Sequence, residues 1–140
     1  MSAALAPQTL ELCLSRQEGG ESYLVFEYLY RDASNYKAFG ELYLIGYLAE
    51  QERNALVGSL ESEEFFVAEQ VGVSPLYEKL YKMSGGRSQD DHAWHTFVGF
   101  RGELDLPAGV AIWGKATDLL AAIVATKEDW KPQLSSNFGW

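Results

Sequence analysis

The segment Ser22-Tyr-Leu-Val-Phe-Glu-Tyr-Leu-Tyr30 constrains this chain more than any other feature. Aromatic, branched and other apolar residues crowd both of its faces, so a strand formed here needs cover on both sides and belongs in the interior of a sheet. A polar interruption follows at residues 31–37, and residues 38–47 then resume the strand pattern. Gly40 inside this second segment predicts either a bulge or a close backbone approach. Upstream, Leu10, Leu12 and Leu14 alternate with Thr9, Glu11, Cys13 and Ser15, which predicts a strand buried on one side. Gly19-Gly20 supplies the positive φ of a hairpin turn between that strand and the central one.

The periodicity then lengthens. Leu48, Ala55, Leu56 and Leu60 recur at helical spacing, with Glu50, Gln51, Glu52 and Arg53 on the solvated side. Periodicity does not decide whether Phe65-Phe66-Val67 is a brief strand or an apolar plug. Ser74-Pro75 reads as an N-cap followed by proline at the first helical position, with Leu76, Tyr77, Leu80 and Tyr81 forming the apolar side of a short helix. Residues 93–100 alternate again, with Trp94, Thr96, Val98 and Phe100 on one face and Ala93, His95, Phe97 and Gly99 on the other. Residues 110–113 suggest a short extended piece. Thr117 can cap a last helix whose stripe is Leu120, Ile123 and Val124. Strands followed by helices predict one α+β domain over residues 1–140. It would hold a largely antiparallel sheet of about four strands with two to three helices on one face. Residues 128–140 form a tail, either docked or loose, in which Trp130, Phe138 and Trp140 need cover.

Composition narrows the function classes. Twenty acidic residues face eleven basic ones, for a formal charge of −9. Such a surface repels nucleic acid and anionic membranes, and it draws cationic partners. Solubility alone also accounts for such a charge in many proteins. No apolar run is long enough to span a bilayer. The single cysteine, Cys13, has no partner for an intramolecular disulfide, and residues 1–7 lack the basic and apolar regions of a secretory signal. The expectation is a cytoplasmic protein. No G-x-S-x-G, H-E-x-x-H or C-x-x-C string occurs, Gly85-Gly86 lacks the spacing of a phosphate loop, and no cofactor is signalled.

Three features carry candidate chemistry. Asp90, Asp91, His92 and His95 place two carboxylates and two imidazoles within six residues. Of these, Asp91, His92 and His95 are the candidate metal ligands. On a strand, however, positions 92 and 95 point to opposite faces, so one ion does not easily take both. The alternative is that the carboxylates solvate a loop while His95 sits in the sheet beside aromatics. The second feature is the loop Arg31, Asp32, Ala33, Ser34, Asn35, Tyr36 and Lys37, suited either to recognition or to turns closed by its own side chains. The third is an aromatic surplus of four Trp, eight Tyr and seven Phe, which fits a protein interface or a core of bulky fillers.

The strings Tyr30-Arg-Asp-Ala-Ser-Asn-Tyr-Lys37, Glu64-Phe-Phe-Val-Ala-Glu-Gln-Val-Gly72 with Pro75-Leu-Tyr77, and Asp91-His-Ala-Trp-His-Thr-Phe97 resemble those of a group of small, acidic, uncharacterised bacterial proteins. The resemblance runs roughly from Tyr23 to Phe100. It implies no activity and transfers no catalytic residue. It singles out Arg31, Asp32, Asn35, Tyr36, Trp94 and His95 for attention.

The leading expectation is a non-enzymatic interaction module of the immunity or inhibitor type, binding a basic protein. Its binding residues would be Arg31, Asp32, Asn35, Tyr36, Lys37, Trp94 and His95. The alternative is a small metal-dependent enzyme or metal-binding protein using the Asp90 to His95 cluster. A third possibility is a small-ligand sensor holding an anion between Arg31 and Lys37.

Overall fold

A computed structural model describes residues 23–32, 36–84 and 92–135. The expected strand at residues 9–15 with Cys13, the Gly19-Gly20 turn, Asn35, Asp90, Asp91, Phe138 and Trp140 lie outside the described residues.

The central strand is β1, Tyr23–Arg31, and it is flanked along almost its whole length. On one side it pairs antiparallel with β2, Lys37–Ile45, from Tyr23↔Ile45 to Arg31↔Lys37. On the other it pairs antiparallel with β4, Trp94–Glu103, from Tyr23↔Glu103 to Leu29↔Thr96. The three residues of β3, Phe65–Val67, add to the far side of β4. The last strand, β5, Ile112–Lys115, adds to β2. The order is β3-β4-β1-β2-β5.

The sheet is largely antiparallel, as expected, but differs in detail from the expected four or so strands: among the described residues it has five, and it is mixed, since β5 runs parallel to β2. Residues 104–111 leave β4 at one end of the sheet and must pass β1 and β2 to reach the far edge. That traverse takes about 14 Å at the usual strand spacing. Strand β5 then lies beside Tyr43 to Ile45 and ends after four residues, where the helix that starts at Ala116 takes over.

The three α-helices of the described residues pack on one face. They are α1, Glu50–Ser59; α2, Tyr77–Ser84; and α3, Ala116–Ala125. The core joins Leu24, Phe26, Tyr28 and Tyr30 of β1 to Leu42 and Leu44 of β2, Leu56 of α1, Leu80 of α2, and Leu119 and Ile123 of α3. Each such large apolar side chain contributes about 1.5–3 kcal/mol on burial. On the other face of β1, Val25 and Leu29 are also buried, as a strand apolar on both sides requires.

Glu50 and Glu52 lie in the first turn of α1, where carboxylates offset the helix dipole, and Glu52 Oε1 accepts the Ala49 N–H at 2.8 Å. Ala55 is exposed, because Leu48, Leu56 and Leu60 already fill the inward positions. In α3 the buried stripe is Ala116, Leu119 and Ile123, one residue round from the expected one, with Leu120 half-buried and Val124 exposed. Helix α3 begins at Ala116, so Thr117 lies within its first turn and is not its cap.

Gly40 marks a close approach. A Cβ there would stand 2.9 Å from the Tyr28 ring and 3.0 Å from Leu76 Cδ2. The Tyr28 hydroxyl donates to the Ser74 carbonyl at 2.7 Å, so the ring is pinned at its far end. The bulge lies in β4, where pairing shifts between Glu27 and Tyr28 and skips Val98. That extra residue reverses the alternation expected for residues 93–100. Phe97 and Phe100 both meet the Phe26 ring, at 5.1 Å and 5.9 Å, and share the core face. The tail is docked as far as Ser135: Trp130 Nε1 donates to the Ser59 carbonyl at 2.9 Å, and the Lys131 N–H donates to Gln70 Oε1 at 2.8 Å.

Candidate functional site

Among the described residues no helix covers the sheet face opposite the core. Side chains at alternate positions emerge there: Glu27 and Arg31 from β1, Lys37, Phe39, Glu41, Tyr43 and Ile45 from β2, and Thr96, Arg101 and Glu103 from β4. The pairings Val25↔Tyr43 and Val25↔Arg101 carry Arg101 to the middle of the face. There it meets Glu27 at 2.6 Å, Glu41 at 2.8 Å and Glu103 at 2.7 Å, while its Nη2 donates to Tyr43 Oη at 2.9 Å. Three carboxylates thus share one guanidinium, and two negative charges are left uncompensated. The carboxylates, led by Glu41, raise the Arg101 pKa beyond its ordinary value and keep it charged. Phe39 is 56% exposed and Ile45 48%, on either side of Glu41 along β2. Arg31 and Lys37 bound the face at one end and Lys115 at the other, each about 13 Å along the strands from the acidic centre. That distance exceeds the screening length at physiological salt, so the centre acts as a local negative patch.

A groove opens where β1, β3 and β4 end together. Phe65, His92 and Trp94 line a cavity of about 320 Å³. Arg31, Asp32, Glu64, Phe65, His92 and Thr96 line an adjoining one of about 310 Å³. Among the described residues neither Arg31 nor Glu64 forms an ion pair. One wall is an acidic turn. Ser62 and Glu63 hold φ at 54° and 60°, and the Glu64 N–H donates to the Glu61 carbonyl at 3.0 Å. Two consecutive left-handed residues are the mark of a tight primed turn, normally built from Asn and Gly. Here each costs about 1–3 kcal/mol of strain, and the turn presents Glu61, Glu63 and Glu64, all exposed.

The two imidazoles hold backbone. The Trp94 N–H donates to His92 Nδ1 at 3.0 Å, and His92 Nε2 lies 2.7 Å from the Arg31 carbonyl, to which it donates. The His92 N–H donates to Tyr30 Oη at 3.0 Å. His95 is fully buried among the rings of Tyr28, Tyr30, Phe66 and Tyr77. Its Nε2 accepts the Leu76 N–H at 3.0 Å. Its Nδ1 has no partner of good hydrogen-bond geometry, and the Ala93 carbonyl beside it exerts only a weak pull. Burial lowers the His95 pKa to about 3, and the ring is neutral. It takes the capping place expected of Ser74, whose carbonyl instead accepts from Tyr28. Helix α2 accordingly begins at Tyr77, two residues past Pro75.

The structure therefore divides the candidate residues. Arg31, Asp32, His92 and Trp94 line the groove. Asp32 is a buried turn residue: its Oδ1 accepts the Tyr36 N–H at 3.0 Å, and its own N–H donates to the Tyr36 carbonyl at 3.1 Å. Lys37 stands opposite Arg31, and Tyr36 and Lys37 are both exposed. His95 lies inside the core, away from the groove. Among the described residues no three His, Cys, Asp or Glu side chains come together as metal ligands. No helix of the described residues is long and apolar enough to cross a membrane. Arg101 and its three carboxylates leave no local signal in the sequence, because only the strand register brings positions 27, 41 and 101 together.

No protein-family model, no curated protein and no solved structure matches the chain.

Proposed function

We propose that the protein is a non-enzymatic interaction module that binds a basic protein partner and acts by occlusion, as immunity and inhibitor proteins do. The observation that carries this reading is the sharing of one guanidinium, that of Arg101, by Glu27, Glu41 and Glu103 on a sheet face that no helix of the described residues covers, beside exposed Phe39 and Ile45. A cationic side chain from a partner neutralises the excess charge there, while apolar contacts at Phe39 and Ile45 supply desolvated area. Arg31, Tyr36, Lys37 and Trp94 flank the contact, and the positive ends of the face set the partner's register. The overall charge of −9 adds long-range attraction for a cation and repulsion for nucleic acid.

Both ring nitrogens of His92 bond to backbone groups and His95 is fully buried among aromatic rings, which supports this reading over a metal-dependent one. The test is capture of the partner from the native host, followed by affinity measurement at increasing salt. Affinity that falls steeply with salt supports the proposal. Affinity indifferent to salt overturns its electrostatic half.

A further inference from the structure

The backbone of β4 is only partly paired on its outer side. Strand β3 meets it at Trp94, His95 and Thr96, and the Phe97 N–H donates to the Glu64 carbonyl at 2.8 Å. Beyond that point, residues 98–103 have β1 on one side and, among the described residues, no strand on the other. This edge contains neither proline nor lysine; its charged residues, Arg101 and Glu103, are paired with each other, and its bulge lies at its start, at Val98. Its two faces differ. Toward the core, Phe97 and Phe100 lie only half-buried beside it. Toward the open face, Glu103 stands beside it, joined through Arg101 to Glu27 and Glu41.

We infer that the basic partner docks by adding a strand along residues 98–103 of β4. This rests on the function proposed above and gives it a binding mode. The chemistry of the two faces sets the partner's sequence. Residues at one alternation are apolar and cover Phe97 and Phe100. Those at the other are Lys or Arg and meet Glu103 and the carboxylates behind it. Backbone hydrogen bonds supply the common affinity, and the alternating pockets and charges supply the choice of sequence. The excess of carboxylate over guanidinium at Arg101 is the charge complement that favours a basic strand over a neutral or acidic one.

The test uses the full chain and two end-blocked nonapeptides in which Lys and Val alternate. One is unmodified, and the other is N-methylated on the residues whose N–H groups would face β4. N-methylation keeps charge and shape but removes backbone donors. The inference expects the unmodified peptide to bind at low salt and to slow amide exchange along residues 98–103, with the methylated one weaker by about tenfold or more. Equal binding of the two peptides overturns strand addition and leaves the charge reading standing. Binding of neither overturns both. Slow exchange along residues 98–103 before any peptide is added also overturns the inference, because the edge is then taken, by the chain's own residues 9–15 or by a second copy. A concentration-dependent dimer identifies the second copy.

Discussion

His95 Nε2 accepts the Leu76 backbone N–H at 3.0 Å, so a side chain in the middle of the sheet holds the start of α2. The bond requires a neutral ring, and burial supplies one by lowering the His95 pKa to about 3. In the unfolded chain the same ring takes up a proton near pH 6.5. Between those values the unfolded state binds more protons, so stability falls as pH drops below about 6.5 and continues to fall toward pH 3, by up to about 1.4 kcal/mol per pH unit. Urea unfolding followed from pH 7 to pH 4 should show this slope. His95→Gln keeps an acceptor within reach and should lose the slope while losing less stability than His95→Ala. The alanine variant leaves both a void and an unpaired N–H, at about 3–5 kcal/mol.

Tyr28 and Gly40 are a coupled pair. Gly40→Ala drives a methyl group into a ring that cannot retreat, because its hydroxyl is held by the Ser74 carbonyl. The expected loss is about 1–3 kcal/mol. Tyr28→Leu should cost stability alone but relieve most of the alanine penalty in the double variant. A denaturant-based double-mutant cycle measures that coupling, and additive losses would contradict the contact. Burial also raises the Tyr28 pKa to about 12, so between pH 10 and that value the unfolded phenol ionises first and stability falls.

The acidic turn is strained at Ser62 and Glu63. Glu63→Gly removes the steric conflict at positive φ and should stabilise the fold by about 1 kcal/mol, read as a rise in the unfolding midpoint. Glu63→Val should destabilise it, since a β-branched residue tolerates that conformation least.

Arg101→Met leaves Glu27, Glu41 and Glu103 facing one another without a cation. The site is partly exposed, so the loss is modest, about 1–2 kcal/mol after solvent screening. Like-charge repulsion should then make the variant gain stability with added salt. The wild type should show that trend less strongly. Thermal unfolding across a salt series separates the two.

Much of the fold is legible in local pattern. The two apolar faces of residues 23–30 require a central strand, and β1 has a neighbour on each side. The short run Phe65-Phe66-Val67 resolves into β3 only because β4 lies beside it. The bulge at Val98 is invisible in alternation alone, since one inserted residue exchanges the faces of every position beyond it. Helix α3 buries Leu119 in place of Val124 because its start is set by the end of β5 and not by Thr117. The acidic patch is the clearest case of a site that pattern cannot reveal. Glu27, Glu41 and Arg101 are far apart in the chain, and only the register of three strands brings them together.

The most direct measurement compares capture of host proteins by the wild type and by a Glu27→Gln, Glu41→Gln double variant. That variant leaves Arg101 paired with Glu103 and the patch neutral. The wild type should retain a protein rich in Lys and Arg at about 50 mM salt and release it by about 500 mM, and the variant should fail to retain it. Equal retention by the two, or a partner without excess positive charge, would contradict the role assigned to the carboxylates around Arg101.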